Sequence, residues 1–536
     1  MPDFDLNLPF RPKWEIEWHH RLRQRCAQRI LVVTDNFSSF DPGSATGLTE
    51  LVRVLQGAGD VPMPMPTSVT TASTRDGFSF ATANPAVTTA NYDQVWLFGF
   101  GIGAAGPSGA DLHVLVSFMQ AGGGLFATGD HSDIGRPFCG ALPRVRAMRE
   151  WASVPMGGVD RLDTINHPGS DGVARNSDQA DPFPQTIYPL LRGTGAAAAP
   201  HPLLASAHGP INVLPDHPHE SECYAPRGAD LGATYGPVSA TGRPTIPAFE
   251  EFPPVGGFRV GPELVAISMS ASLNVDKGAV DPRCFGAISA YDGHLANVGR
   301  VVCDATWHHF VNMNLNGAGY GGDGLREGSP LAANAAYRQV QRYYVNIADY
   351  LVPKTRRWCW LFDRVFLELY RYPLWEEIPT LPPLPDPPRP PWPWLVELGS
   401  LAAAVFDRRY GAGTAEGMVE ALLDTAELPL DLAESISPRR VRFDRVTRRG
   451  ALTPLADHGG CAELRLGLLG SLIHRIRASL PDDPIAAVDK AESLHDATIK
   501  PYREDLLADC RAGLEDLQAR RSGAVRKLGA LAKSLG

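Results

Sequence analysis

Between Ile378 and Trp394 the chain reads IPTLPPLPDPPRPPWPW, nine prolines in seventeen residues. Proline fixes φ and removes a backbone donor, so neither a helix nor a central strand can run through such a tract, and it reads as a stiff, extended linker. It therefore cuts the sequence in two. Before it, short apolar runs alternate with helical stretches; after it, the pattern is helical. The division predicted is an N-terminal extension over 1–28, an α/β domain over 29–352, a connecting helix over 353–377, the Pro-rich linker over 378–394 and an all-α C-terminal domain over 395–536. A chain of 536 residues is long enough for two or three separate cores.

Arg29-Ile-Leu-Val-Val-Thr-Asp35 is a short β-branched run ending in polar residues, the pattern of a strand covered on both faces. Leu48, Leu51, Val52 and Leu55 then share one helical face before a glycine stop. Strands are predicted at Ser68–Thr74, Gln94–Gly99 and Gly123–Thr128, with a helix over Gly109–Gln120. This β-α-β order implies right-handed crossovers and a parallel sheet. Residues 140–260, rich in Gly, Pro, His and Asp, give little periodic signal and read as long loop insertions over the sheet. Strands resume at Leu264–Met269, Phe285–Ser289 and Gly299–Asp304, and a helix over Ala333–Leu351 closes the domain. In the tail, helices are predicted near Leu395–Arg409, Gly417–Thr425, Ala462–Leu480 and Tyr502–Leu535. Their apolar spacing, as in Leu464, Leu466, Leu469, Leu472 and Ile473, reads as bundle core.

A net charge of -9 argues against a nucleic-acid-binding surface as the main role. The acidic start fits no secretory signal, and no apolar run is long enough to span a membrane. Eight scattered cysteines without CxxC spacing read as reduced thiols of a cytoplasmic protein.

Three segments carry chemistry. Gly129-Asp-His-Ser-Asp-Ile-Gly135 follows a strand directly, which is where open parallel sheets bind ligands. It offers Asp130, His131 and Asp133, although Asp133 also fits a helix cap. Pro215-Asp-His-Pro-His-Glu-Ser-Glu222 packs two histidines and three carboxylates together, the donor types of a zinc, iron or manganese site, or else forms a solvated polar loop. Asp304-Ala-Thr-Trp-His-His309 follows the last strand. If the three converge, His131, His217, His219, Glu222, Asp304 and His308 are candidate metal ligands, with zinc first, and Asp130, Glu220 and His309 are candidate catalytic groups. A serine-nucleophile reading through Ser132 lacks the G-x-S-x-G spacing, and Cys139 reads as a packed thiol. The glycines of Gly99–Gly106 suit a phosphate-binding turn or, with more weight, a plain loop.

The order of these pieces resembles the ThuA-like (trehalose utilisation-like) family of the class I glutamine amidotransferase-like superfamily. The matching residues are Tyr92–Leu97, Leu115–Gly124 running into Gly129-Asp-His131, His201–Leu204, Glu220–Tyr224, and Gly299-Arg-Val-Val through His308. The resemblance implies a flavodoxin-like, doubly wound fold without the glutaminase cysteine, a metal site and a sugar-derived substrate. The reading that follows is a metal-dependent hydrolase or isomerase acting on a polar small molecule. The alternative is a non-catalytic binding or scaffold protein that self-associates, or meets a protein partner, through residues 395–536.

Overall fold

The computed structural model describes residues 12–21, 23–35, 40–101, 106–130, 134–151, 166–168, 174–176, 185–192, 200–206, 208–215, 222–255, 258–269, 273–274, 278–279, 284–318, 325, 332–370, 390–410, 414–426, 458–495 and 500–535. The chain divides into two compact units. Of the described residues, one holds those from 27 to 354, and the other holds those up to 26 together with those from 355 onward. Helix α1 (Lys13–Arg21) belongs to the second.

The first unit is built on eight strands: β1 (Gln28–Thr34), β2 (Thr67–Ser73), β3 (Gln94–Phe98), β4 (Gly124–Thr128), β5 (Tyr188–Pro189), β6 (Glu263–Met269), β7 (Cys284–Tyr291) and β8 (Val301–Asp304). They lie in the order β2-β1-β3-β4-β8-β7-β6-β5. The first five in that order run parallel. The last three alternate in direction, so the sheet is mixed and mainly parallel. The chain between β7 and β8 explains the reversal: residues 292–300 hold only a short turn, too little for the crossover that a parallel neighbour needs.

Between strands lie α2 (Thr49–Arg53), α3 (Gly109–Gln120), α4 (Arg136–Cys139) and α5 (Val145–Met148), and after β8 come α6 (Asn312–Asn316) and α7 (Ala332–Tyr350). Helix α3 starts on a capping box between Ser108 and Asp111, which satisfies otherwise orphaned N–H groups. Trp96, Phe98, Phe126, Phe310 and Tyr344 pack ring against ring in the core. The stretch read as loop insertions contains α5 and several short ladders.

The second unit contains α1 with α8 (Arg357–Tyr370), α9 (Trp392–Tyr410), α10 (Thr414–Ala426), α11 (His458–Ala478), α12 (Pro484–His495) and α13 (Lys500–Leu535). Two boundaries differ from expectation. Helix α9 begins inside the proline tract, because Pro393 sits in the first turn, where its missing N–H would have had no partner. Residues 13–26, expected as part of a separate extension, pack onto the expected connecting helix: Trp18 stacks on Phe366 at 3.8 Å and donates from Nε1 to Asp363 (2.8 Å). Cys26 and Cys359 form a disulfide, so the reduced-thiol reading does not hold for that pair. A contact across 345 residues leaves no trace in periodicity. Helices α9 and α11 meet backbone to backbone at Gly399 and Gly470, where an added Cβ would fall within 2 Å of a carbonyl oxygen on the other helix. Among the described residues no helix is long and apolar enough to cross a membrane.

Candidate functional site

β4 and β8 are parallel neighbours, with Thr128 level with Asp304, so their carboxyl ends release two loops side by side. Open parallel sheets bind ligands at such ends. The loop after β4 places Asp130 with its side chain wholly buried. The loop after β8 makes a short turn, Trp307–His309, whose cap is Thr306. The Thr306 hydroxyl accepts from the His308 backbone N–H (3.1 Å) and donates to Asp130 Oδ1 (2.8 Å). His308 Nε2 lies 3.2 Å from Asp130 Oδ2, and its ring stacks on Trp307 at 3.8 Å. The Trp307 backbone N–H donates to the Gly129 carbonyl (2.8 Å), fastening one loop to the other.

A second pair lies beside the first. His309 Nδ1 is 2.7 Å from Asp304 Oδ1, which also accepts from the Thr306 N–H, while Tyr343 donates its hydroxyl to Oδ2 (2.8 Å). Burial, reinforced by the Asp304 charge, holds the Tyr343 phenol well above its usual range, so it remains a donor. Arg149, also buried, donates to the carbonyls of Asp130, Asp304 and Ala305. Burial lowers its pKa, and the neighbouring Cys223 and Asp130 oppose that shift.

Of the expected catalytic groups, Asp130 and His309 are therefore in this layer. Of the expected ligands, His308 and Asp304 are there as well. Glu222 accepts from the hydroxyl of Tyr224 (2.6 Å). Its neighbour Cys223, just past the second segment, donates from Sγ to the Cys303 carbonyl on β8 and from its backbone N–H to the Gly286 carbonyl on β7. His131, His217, His219 and Glu220, with Ser132 and Asp133, lie outside the described residues. Among the described residues no group of three or more His, Cys, Asp or Glu side chains could hold a metal ion.

Two minor expectations concern glycines and a thiol. Gly99 lies so close to Gly135 that an added Cβ would stand 2.3 Å from its Cα, so close backbone approach accounts for that glycine; residues 102–105 lie outside the described ones. Cys139 is buried, and burial pushes its thiol far up.

The sequence reading missed Asp35, Thr306, Tyr343 and Arg149. Asp35 is buried just past β1 and accepts from the Gly101 N–H (2.6 Å). A signal for it existed: Asp35, Asp130 and Asp304 each stand at or just past the carboxyl end of a parallel strand. Arg149 lies in a stretch without periodicity, and nothing local marks it. Compared with protein-family models, with curated proteins and with solved structures, the chain matches none.

Proposed function

We propose that the α/β unit is an enzyme that hydrolyses or isomerises a polar small molecule, with His308 moving the proton and Asp130 orienting it. One observation carries this reading: a buried Asp–His pair, cross-linked by Thr306, at the carboxyl ends of two adjacent parallel strands. With Nε2–H directed at Asp130, Nδ1 is the basic nitrogen, and the carboxylate stabilises the imidazolium formed when it takes a proton.

The order of the five parallel strands is 2-1-3-4-5 when they alone are counted, which supports the flavodoxin-like, doubly wound reading and, through it, the resemblance to ThuA-like proteins. Gly129-Asp130 at the first loop, with no cysteine there, supports an activity other than glutaminase. The sugar-derived substrate follows from the resemblance alone. A divalent ion, zinc first, would take Asp130 and His308 together with donors from 131–133 or 216–220, and would supply Lewis acidity. Among the described residues the donors stand as two pairs, Asp130 with His308 and Asp304 with His309, and the proposed proton transfer uses the first. Against a cytoplasmic location stands the Cys26–Cys359 bond, since structural disulfides persist in oxidising compartments.

The test is turnover of a panel of polar esters, lactones and aldoses by wild type and His308→Gln, alongside elemental mass spectrometry of protein purified without added metal. A loss of about 10²–10⁴ in rate with the melting temperature retained supports the acid–base role. Equal rates refute it. Stoichiometric metal that falls in His131→Ala adds the ion to the same site.

The near-complete burial of His308, 4% exposed, favours a second reading. There the pair pins the Trp307–His309 turn, the α/β unit binds a ligand without transforming it, and the helical unit serves assembly. No turnover of any panel member, with folding lost in His308→Gln, selects this one.

A further inference from the structure

Beside the strand ends, a cleft of about 570 Å³ opens between the loop carrying α4 and α5 and the segment 224–230. Four arginines line it: Arg136, Arg146, Arg149 and Arg227. Two carboxylates, Glu150 and Asp230, line it too. The inner wall is structural: Arg149 lies over the Trp151 ring at 4.1 Å with its donors on backbone carbonyls. Arg146 binds the buried Glu251 through Nε and Nη2, and its Nη1 takes no part in those bonds. Arg136 and Arg227 stand exposed at the rim, on opposite sides of the opening in sequence terms, one on α4 and one before the turn Gly228–Gly232.

We propose that this cleft is a binding site for a small hydroxylated phosphomonoester. Guanidinium groups are planar forks that bind phosphate oxygens in pairs; the rim arginines Arg136 and Arg227 bring that capacity to the opening, while Arg146 and Arg149, whose donors are largely engaged, add positive charge to its wall. A ligand that was only an anion would make no use of Glu150 and Asp230. A neutral polyol would have no use for the arginines. A molecule with a phosphate at one end and hydroxyls at the other uses both, since carboxylates accept from hydroxyl donors. The volume agrees: it falls in the range of small-molecule pockets and exceeds what a bare phosphate fills. The inference stands on the cleft alone and does not need His308 to be catalytic.

Isothermal titration calorimetry on the full chain tests it, with glycerol 3-phosphate, glycerol and inorganic phosphate as probes. Saturable binding of glycerol 3-phosphate is expected, weakened about tenfold or more in Arg136→Ala and Arg227→Ala, each losing a charge-assisted contact. Arg75→Ala, exposed elsewhere on the same unit, should bind as wild type. Asp230→Asn should narrow the preference for glycerol 3-phosphate over inorganic phosphate. The proposal is overturned if glycerol 3-phosphate gives no saturable heat, if glycerol binds as tightly, if inorganic phosphate binds as tightly as the ester, or if both arginine variants bind like wild type.

Discussion

β8 has a buried polar cluster at each end, and the two are built on opposite principles. At its carboxyl end, two histidines face two aspartates, and the nearest cation, Arg149, spends its donors on backbone carbonyls. At its amino end, Arg300 grips Asp292 with two bonds (2.9 and 3.1 Å), lies 4.4 Å over the Tyr350 ring and donates to the Tyr350 carbonyl. His201 is buried there beside Arg192 and Arg300, with Glu263 at 3.6 Å, and the backbone N–H of buried His294 donates to Asp292 (3.2 Å). The amino-end cluster closes its strongest charges, Arg300 and Asp292, upon each other through two bonds. The carboxyl-end cluster keeps titratable groups paired by single bonds, which is the condition for moving a proton.

If that contrast holds, the amino end should matter for stability before anything else. Replacing Arg300 by Ala strands the buried Asp292 carboxylate without its ion pair. A loss of about 3–5 kcal/mol is expected. It should appear as a large fall in the urea midpoint of the α/β unit, followed by fluorescence. An unchanged midpoint would mean that the pair is not buried as described.

Asp304 tests how far the carboxyl end also bears structure. Asp304→Ala leaves the Tyr343 hydroxyl, the His309 ring N–H and the Thr306 N–H without their acceptor. Buried donors left unsatisfied cost about 1–3 kcal/mol each, so with relaxation the three together are expected to cost about 3 kcal/mol, at the lower end of the range for Arg300. A fall larger than that of Arg300→Ala would make the carboxyl end the more structural of the two.

The histidines separate by pH. Burial first, then the positive charges of Arg192 and Arg300, pulls the His201 pKa well below its usual value. Its folded pKa therefore lies below the unfolded one, near 6.5. The unfolded state binds the extra proton first as the pH falls, so this contribution is complete above about pH 7 and shrinks below it, with a slope approaching about 1.4 kcal/mol per pH unit. Stability measured from pH 7.5 to 5 should fall in wild type. The fall should be smaller in His201→Gln, which cannot titrate, and identical slopes would remove His201 from the account.

How much of this was legible beforehand follows from what each element depends on. Strands β1, β3, β4, β6, β7 and β8 were readable because burial on both faces demands unbroken apolar runs, and α3 because Ser108 and the glycines after Gln120 mark its ends. The antiparallel pairing of β5, β6 and β7 was not, since strand direction depends on connection length and not on composition. In the site, Asp130, Asp304, His308 and His309 were readable because they stand at or just past strand ends. Arg149, Tyr343 and the pairing of each histidine with its own aspartate come from contacts between distant segments. The packing of Trp18 on Phe366 is hidden for the same reason.

Thr306 gives the smallest and most specific test, because its hydroxyl serves two purposes at once. It caps the Trp307–His309 turn and donates to Asp130 Oδ1, the oxygen that His308 does not use. Valine keeps the shape and loses both bonds, and removal of one cap and one buried bond costs about 1–2 kcal/mol. Its consequence for the histidine has a definite sign. Without the Thr306 donor, the Asp130 carboxylate carries more of its charge toward His308, which favours imidazolium, so the His308 pKa should rise relative to wild type. Ring-proton NMR against pH reads that shift directly. A rise with little loss of stability places Thr306 as a group that positions and tunes the pair. A stability loss with no movement of the His308 titration would make the carboxyl-end cluster structural in the same sense as the amino-end one, and the contrast between them would fail.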